Sequence, residues 1–187
     1  MKVSEKPLAQ YPWYVRLLFW LQRRKYGDVL KPGLLWGRSP LLFLAVAGLY
    51  GVIDRKGSPL SPVLRSLVTV RVSQMNGCSF CVDINSATLA QRAGSLDKAR
   101  ALADWRGSDV FDRRERVALE YAEAMTATGV AVSGDLFARL SEHFDDDAIV
   151  ELTALIAFQN LSSKFNTALG VPAQGFCELP GSLEHHA

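Results

Sequence analysis

Arg65-Ser66-Leu67-Val68-Thr69-Val70-Arg71-Val72-Ser73-Gln74-Met75 is the stretch that decides the fold class, because it can be read in two ways. Val68, Val70 and Val72 alternate and are β-branched, as in a half-buried strand. With Leu64 added, however, Leu64, Leu67, Val68, Val72 and Met75 fall at i, i+3, i+4, i+8 and i+11, a helical stripe interrupted only by Arg71. Helical punctuation stands on both sides and no partner strand is visible, so the stretch reads as helix. Ser61-Pro62 ahead of it is an N-cap followed by proline in the first turn, and Asn76-Gly77 behind it is a turn.

Working outward, Gly94-Ser95 closes one helix and caps the next, and Ser133 can open another. Asp145, Asp146 and Asp147 stand where a helix N-terminus welcomes negative charge. From there to Ala168 no Gly or Pro intervenes before the stop signal Gly170-Val171-Pro172, which predicts one long helix. The expected elements are helices near 12–25, 39–53, 61–75, 79–93, 95–104, 112–127, 134–143 and 146–169, an all-α fold without internal repeats.

At 187 residues, 49% hydrophobic and 21% charged, the chain is neither disordered, collagenous nor coiled-coil, and can bury a core that needs no disulfide staples. Three cysteines do not make a secreted disulfide framework. A net charge of +2 speaks against a nucleic-acid binder, but it is unevenly placed. Residues 1–40 hold eight Lys/Arg against two acids, a net +6, and the remainder hold thirteen against seventeen, a net −4. The apolar run Leu17 to Leu21 is too short for a secretory signal. Leu41 to Ile53, thirteen residues, falls short of the roughly 20 that span a bilayer. A cytoplasmic, reducing location is the expectation. The tail Leu183-Glu184-His185-His186 is assigned no function.

The chemistry is concentrated in Asn76-Gly77-Cys78-Ser79-Phe80-Cys81. A spacing of three puts both sulfurs within one turn, so a disulfide can form and break with little backbone movement. The N-terminus of the following helix favours the thiolate, the reactive form. Two small core hydrophobes would also satisfy the composition, but packing alone does not ask for this spacing at a helix start after a glycine turn. A closed zinc site needs four ligands, and no second CxxC or spaced His pair completes one, so no metal or organic cofactor is expected. Cys177, in Gly175-Phe176-Cys177-Glu178-Leu179-Pro180, reads as a packed, surface-proximal bystander.

Ser73-Gln74-Met75-Asn76-Gly77-Cys78-Ser79-Phe80-Cys81, then Val82-Asp83-Ile84-Asn85 and Ala168-Leu169-Gly170-Val171-Pro172, resembles the alkylhydroperoxidase D-like branch of the carboxymuconolactone decarboxylase superfamily. The resemblance covers about residues 58–177. It divides the chain into a basic, aromatic N-terminal helical extension (1–57), an alkylhydroperoxidase D-like helical domain (58–180) and a tail (181–187). It implies an all-helical fold assembled into trimers or hexamers, and peroxide reduction in which Cys81 attacks and Cys78 resolves. A lipoylated or thioredoxin-like partner would restore the dithiol. The family pattern places a histidine where this chain has Asn85 and a glutamate where it has Ser66. Asn cannot exchange protons near neutral pH and Ser does so poorly, although either can hydrogen-bond a thiolate or a water. The expectation is a sluggish thiol peroxidase or disulfide oxidoreductase. Its rivals are an inactive oligomeric scaffold or binding relative and, against the sequence, a decarboxylase of the histidine-using branch.

Replacement groups are few. His143 stands near a helix end, where capping is the favoured role. Asp54 and Asp83 are available carboxylates, with Asp83 turned away from the sulfur-bearing face. Glu120 or Glu123 could face the thiols, and the amides Gln159, Asn160 and Asn166 in the last helix are undecided. In the N-terminal arm, Tyr14, Leu17, Leu18 and Leu21 share a helical face, with Trp13 and Trp20 beside it and Arg16 and Arg23 clustered. A basic amphipathic helix of this kind over residues 11–36 can rest on a membrane surface. Packing across the core or a neighbouring subunit is the favoured alternative.

Overall fold

The computed structural model describes residues 1–177; the tail, with His185 and His186, lies outside the described residues. Among the described residues nine α-helices follow in order: α1 Trp13–Tyr26, α2 Lys31–Trp36, α3 Pro40–Ile53, α4 Pro62–Met75, α5 Ser79–Ala93, α6 Asp97–Ala101, α7 Arg113–Thr126, α8 Gly134–Ser141 and α9 Asp146–Ala168. The described residues contain no strand. Among them, no helix is long and apolar enough to cross a membrane.

The ambiguous stretch is α4, and the structure explains its strand-like pattern. α4 is the central helix, packed on α5, α7 and α9. Leu64, Val68 and Val72 face a core shared with Val117, Tyr121, Leu140, Leu152 and Ile156. Leu67 and Val70 face a second core with Leu89, Leu102, Trp105 and Leu119. Surrounded on both sides, the helix must be apolar on both, and Val70 between Val68 and Val72 is the residue that mimics alternation. Each fully buried valine contributes about 1.5 kcal/mol.

Local signals place the helix ends. Ser61, Ser133 and Asp145 each accept the N–H three residues on (Leu64, Leu136 and Ala148, at 3.2, 3.1 and 2.8 Å). Asp112 and Glu115 form a reciprocal capping box at the start of α7. Gly94 ends α5 with φ +74. Ser95 accepts the Asp97 N–H at 3.3 Å, while Leu96 occupies the N-cap of α6.

Two elements differ from the expected set. The helix expected over 95–104 ends at Ala101 and passes into a 3-10 turn, Leu102–Gly107, bent at Asp104, because burying both Leu102 and Trp105 requires the kink. The unforeseen α2 is a six-residue helix in which Leu34, Leu35 and Trp36 are buried.

The N-terminal arm packs on the core. Tyr11, Val15, Phe19, Val29, Leu34, Trp36 and Phe43 form one cluster. Trp36 stacks on Phe165 of α9, centroids 3.5 Å apart, and the Lys2 N–H donates to the Leu169 carbonyl at 2.8 Å. The buried stripe of α1 is Val15 and Phe19; Leu17 and Leu21, expected on the apolar face, are about half exposed, and Trp13 is 75% exposed.

Candidate functional site

The α4–α5 junction sets the two sulfurs. Gly77, at φ +61, takes the left-handed conformation that ends α4, and the Cys78 N–H turns back to the Ser73 carbonyl at 3.0 Å. Cys78 is thereby the N-cap of α5, and its Sγ accepts the Cys81 N–H at 3.2 Å. A disulfide joins Cys78 to Cys81, with the Cα atoms 5.2 Å apart. Both cysteines are buried, but they are not equivalent. Cys81 lies on the wall of a cavity of about 520 Å³, and Cys78 does not.

That cavity lies between the arm and the core. Leu18, Leu30 and Trp36 supply one side, Phe43, Val46 and Tyr50 of α3 another, and Phe80, Ile84 and Phe158 the floor around Cys81. Its polar groups near the sulfur are neutral: Asn85 from α5, and Gln159 and Asn166 from α9. Lys25 is the one charged side chain among the described residues that line it.

The neutral groups are wired together. Asn166 Nδ2 donates to Cys81 Sγ at 3.2 Å. Asn85 Nδ2 and Gln159 Nε2 both donate to Ser73 Oγ, at 3.2 and 2.9 Å, and that hydroxyl donates on to the Thr69 carbonyl. Asn76 Nδ2 donates to Asn160 Oδ1 and Ser163 Oγ, tying the turn before Cys78 to α9. Gln159 and Asn166, undecided from sequence, therefore belong to the site. Ser73 joins them; its only signal was its place inside the recognised motif.

Asn85 and Ser66, the two positions that depart from the family pattern, do not share a partner. Asn85 lines the cavity and bonds Ser73. Ser66, two turns back along α4, is buried, accepts Arg92 Nη1 at 3.1 Å and is not part of the cavity wall. The replacement candidates are occupied elsewhere. Asp54 receives both Arg65 and Arg92. Asp83, 1% exposed, accepts the N–H groups of Gln174, Gly175 and Cys177 at 2.7–2.8 Å, anchoring the last loop to α5. Glu120 pairs with Arg139, which hydrogen-bonds its carboxylate and holds it below the ordinary range. Burial alone would raise Glu123, but hydrogen bonds from Arg106, Trp105 and Arg71 and the charge of Arg71 bring it below its usual value. His143 is exposed beyond α8, with its backbone N–H on Leu140. Cys177 is buried, closer to the interior than a surface-proximal thiol.

Fold and site together define an all-helical protein with a disulfide-linked cysteine pair at a helix start, one sulfur of which lies on the wall of an apolar cavity. The chain belongs to the carboxymuconolactone decarboxylase family, whose profile matches residues 40–124, and its fold is that of the alkylhydroperoxidase D-like proteins. The uncharacterized protein YnjA of Escherichia coli is 52% identical over 174 residues, 93% of this chain and 96% of that one. An alkylhydroperoxidase AhpD core structure, a peroxidase-related protein of Ralstonia eutropha, superposes with a TM-score of 0.84 at 24% identity, over 94% of this chain and 93% of that one. The debrominase Bmp8 superposes with a TM-score of 0.78 at 22% identity, over 87% of each chain.

Proposed function

We propose that the protein is a thiol-dependent oxidoreductase that reduces organic hydroperoxides, and exchanges with small disulfides, through Cys81 and Cys78. One observation carries this reading: of the paired sulfurs, Cys81 alone faces the cavity. A substrate entering there meets Cys81 first, and Cys78, held behind it as the helix N-cap, is within reach to close the disulfide. The apolar walls favour a hydroperoxide with a sizeable hydrocarbon or aromatic body. With Asn85 and Ser66 in place of a titrating pair, turnover is slower by roughly 10² to 10⁴ than positioned acid–base catalysis would allow. A thiol or lipoyl-type reductant protein in the cytoplasm returns the electrons.

The chain acts as a homo-oligomer, a trimer or hexamer. α3 supports this, since it is apolar along its length yet buries only Phe43 and Ile53, leaving Leu41, Leu42, Leu44, Leu49 and Val52 exposed. Light scattering of the full chain should give the mass of three or six copies; a monomer would remove the assembly from the reading.

The test is consumption of an organic hydroperoxide and of a small disulfide, with reductant supplied. Wild type should turn over and Cys81→Ser should not. Cys78→Ser should react once per chain and stop, because its sulfenic acid has no resolving partner. Failure of wild type to consume either substrate would reduce the chain to a binding or scaffold relative.

A further inference from the structure

Peroxide reduction needs a group that takes hold of the peroxide O–H, and the two cysteines do not supply one. Resting on the thiol-peroxidase reading above, we propose that Asn166 is the peroxide-binding residue, its Oδ1 accepting the hydroperoxide O–H while its Nδ2 holds the Cys81 sulfur.

Three observations converge on this side chain. Asn166 is 1% exposed, and its Nδ2 donates to Cys81 Sγ at 3.2 Å. Its Oδ1 is a buried acceptor with no hydrogen-bond partner among the described residues. The same side chain lies on the wall of the cavity onto which Cys81 opens. A buried acceptor left unpaired costs about 1–3 kcal/mol, and native interiors keep few of them. A donor arriving through the cavity relieves that cost. Ser86 Oγ is also unpaired, but Ser86 is absent from the cavity wall, so no ligand entering there can reach it.

The residue is held firmly enough to orient a ligand. Its own carbonyl accepts the Val171 N–H at 3.0 Å, and its neighbour Phe165 is stacked on Trp36. One amide of the cavity wall thus combines a donor to the sulfur with an unpaired acceptor, and a hydroperoxide bound to that acceptor would set its terminal oxygen against Cys81.

The Cys81 thiolate attacks the terminal oxygen of ROOH, the S–O bond forms, and the O–O bond breaks with its electron pair leaving on RO⁻, which takes a proton from water. The hydrogen of the terminal oxygen stays on the sulfenic acid, Cys81–SOH. Cys78 attacks that sulfur, the S–O bond breaks, and its oxygen leaves as water with the Cys78 proton. The peroxide is the oxidant, and the dithiol gives up two electrons. Before attack, Nδ2 stabilises the thiolate, a neutral substitute for the charge a titrating relay would provide.

Two measurements on the reduced full chain test this: thiolate absorbance near 240 nm against pH, and the single-turnover rate with cumene hydroperoxide. Asn166→Ala should move the Cys81 thiolate midpoint upward and slow the reaction about 10- to 100-fold, as expected for losing a hydrogen bond to a charged group. Asn166→Asp keeps the size and shape, so it should fold if Ala does not. It replaces the donor by negative charge and should raise the midpoint further. A midpoint that neither folded variant moves overturns the assignment, even if wild type consumes peroxide. A wild-type chain inert to every hydroperoxide sinks the peroxidase reading, and the peroxide half of this proposal with it, and the titration reports that case separately.

Discussion

At one end of the packed pair α4 and α5, Asp54 receives Arg65 at 3.2 Å and Arg92 at 2.7 Å, and Arg92 also donates to Ser66. At the other end, about two helical turns away, Ser73 collects the amides of Asn85 and Gln159, and Asn166 donates to the sulfur of Cys81. The first end is ionic and ties three elements together. The second is uncharged and lines the cavity through Asn85, Gln159 and Asn166. A charge beside the thiol would need a partner or pay desolvation, whereas amides hold a thiolate without bringing a competing carboxylate. The chain keeps its ions where they brace the fold and its neutral donors where chemistry is proposed.

The sharpest way to break the contrast is at the ionic end. Asp54→Ala leaves two guanidinium groups without their carboxylate, one of them on the almost fully buried Arg65, and should destabilise the chain by about 3 kcal/mol. Denaturant melts should show that loss while the thiolate titration of the surviving folded protein stays where it is. A shifted titration would mean the two ends communicate. At the neutral end, Asn85→His places a titratable group on the cavity wall. Hydroperoxide turnover should then rise as pH passes the ordinary imidazole value near 6.5, since the neutral ring is the base, toward a gain of about a hundredfold. A rate with the wild-type pH profile would show that position 85 does not serve the sulfur.

Smaller effects refine the picture. Ser73→Ala removes the shared acceptor of Asn85 and Gln159 and should cost about 1–2 kcal/mol in thermal melts, together with a slower thiol reaction; stability lost without any change in rate would make the amide cluster purely structural. Smallest is an acid effect at Glu123, whose carboxyl is lowered in the folded chain. A group with a depressed folded value stabilises above its unfolded value and loses that contribution as pH falls through the folded one. Glu123→Gln should therefore lower stability at neutral pH and bring the mutant and wild-type curves together at the acid end. Parallel curves at all pH values would deny it that role.

Much of this architecture was legible along the chain because it is local. A cap is read from one serine or aspartate and the N–H three residues on, so Ser61, Ser133 and Asp145 announce α4, α8 and α9. The short helix α2 was hidden, since Lys31–Trp36 is too brief to show a period and owes its form to the surface it covers. The kink after α6 was hidden for a related reason: burial of Leu102 and Trp105 overrode helical continuation.

The site divides the same way. Spacing alone joined Cys78 to Cys81 and set both at the start of a helix, because three residues and a glycine turn are a short-range constraint. Which sulfur meets the cavity, that Asn166 reaches Cys81 across 85 positions, and that Ser66 turns to Arg92 were decided only when α9 and the N-terminal arm packed against α4 and α5. Local geometry is written in neighbouring residues. The direction in which a side chain finds its partner depends on how whole helices dock, and that is set by the sum of many buried contacts rather than by any one stretch of sequence.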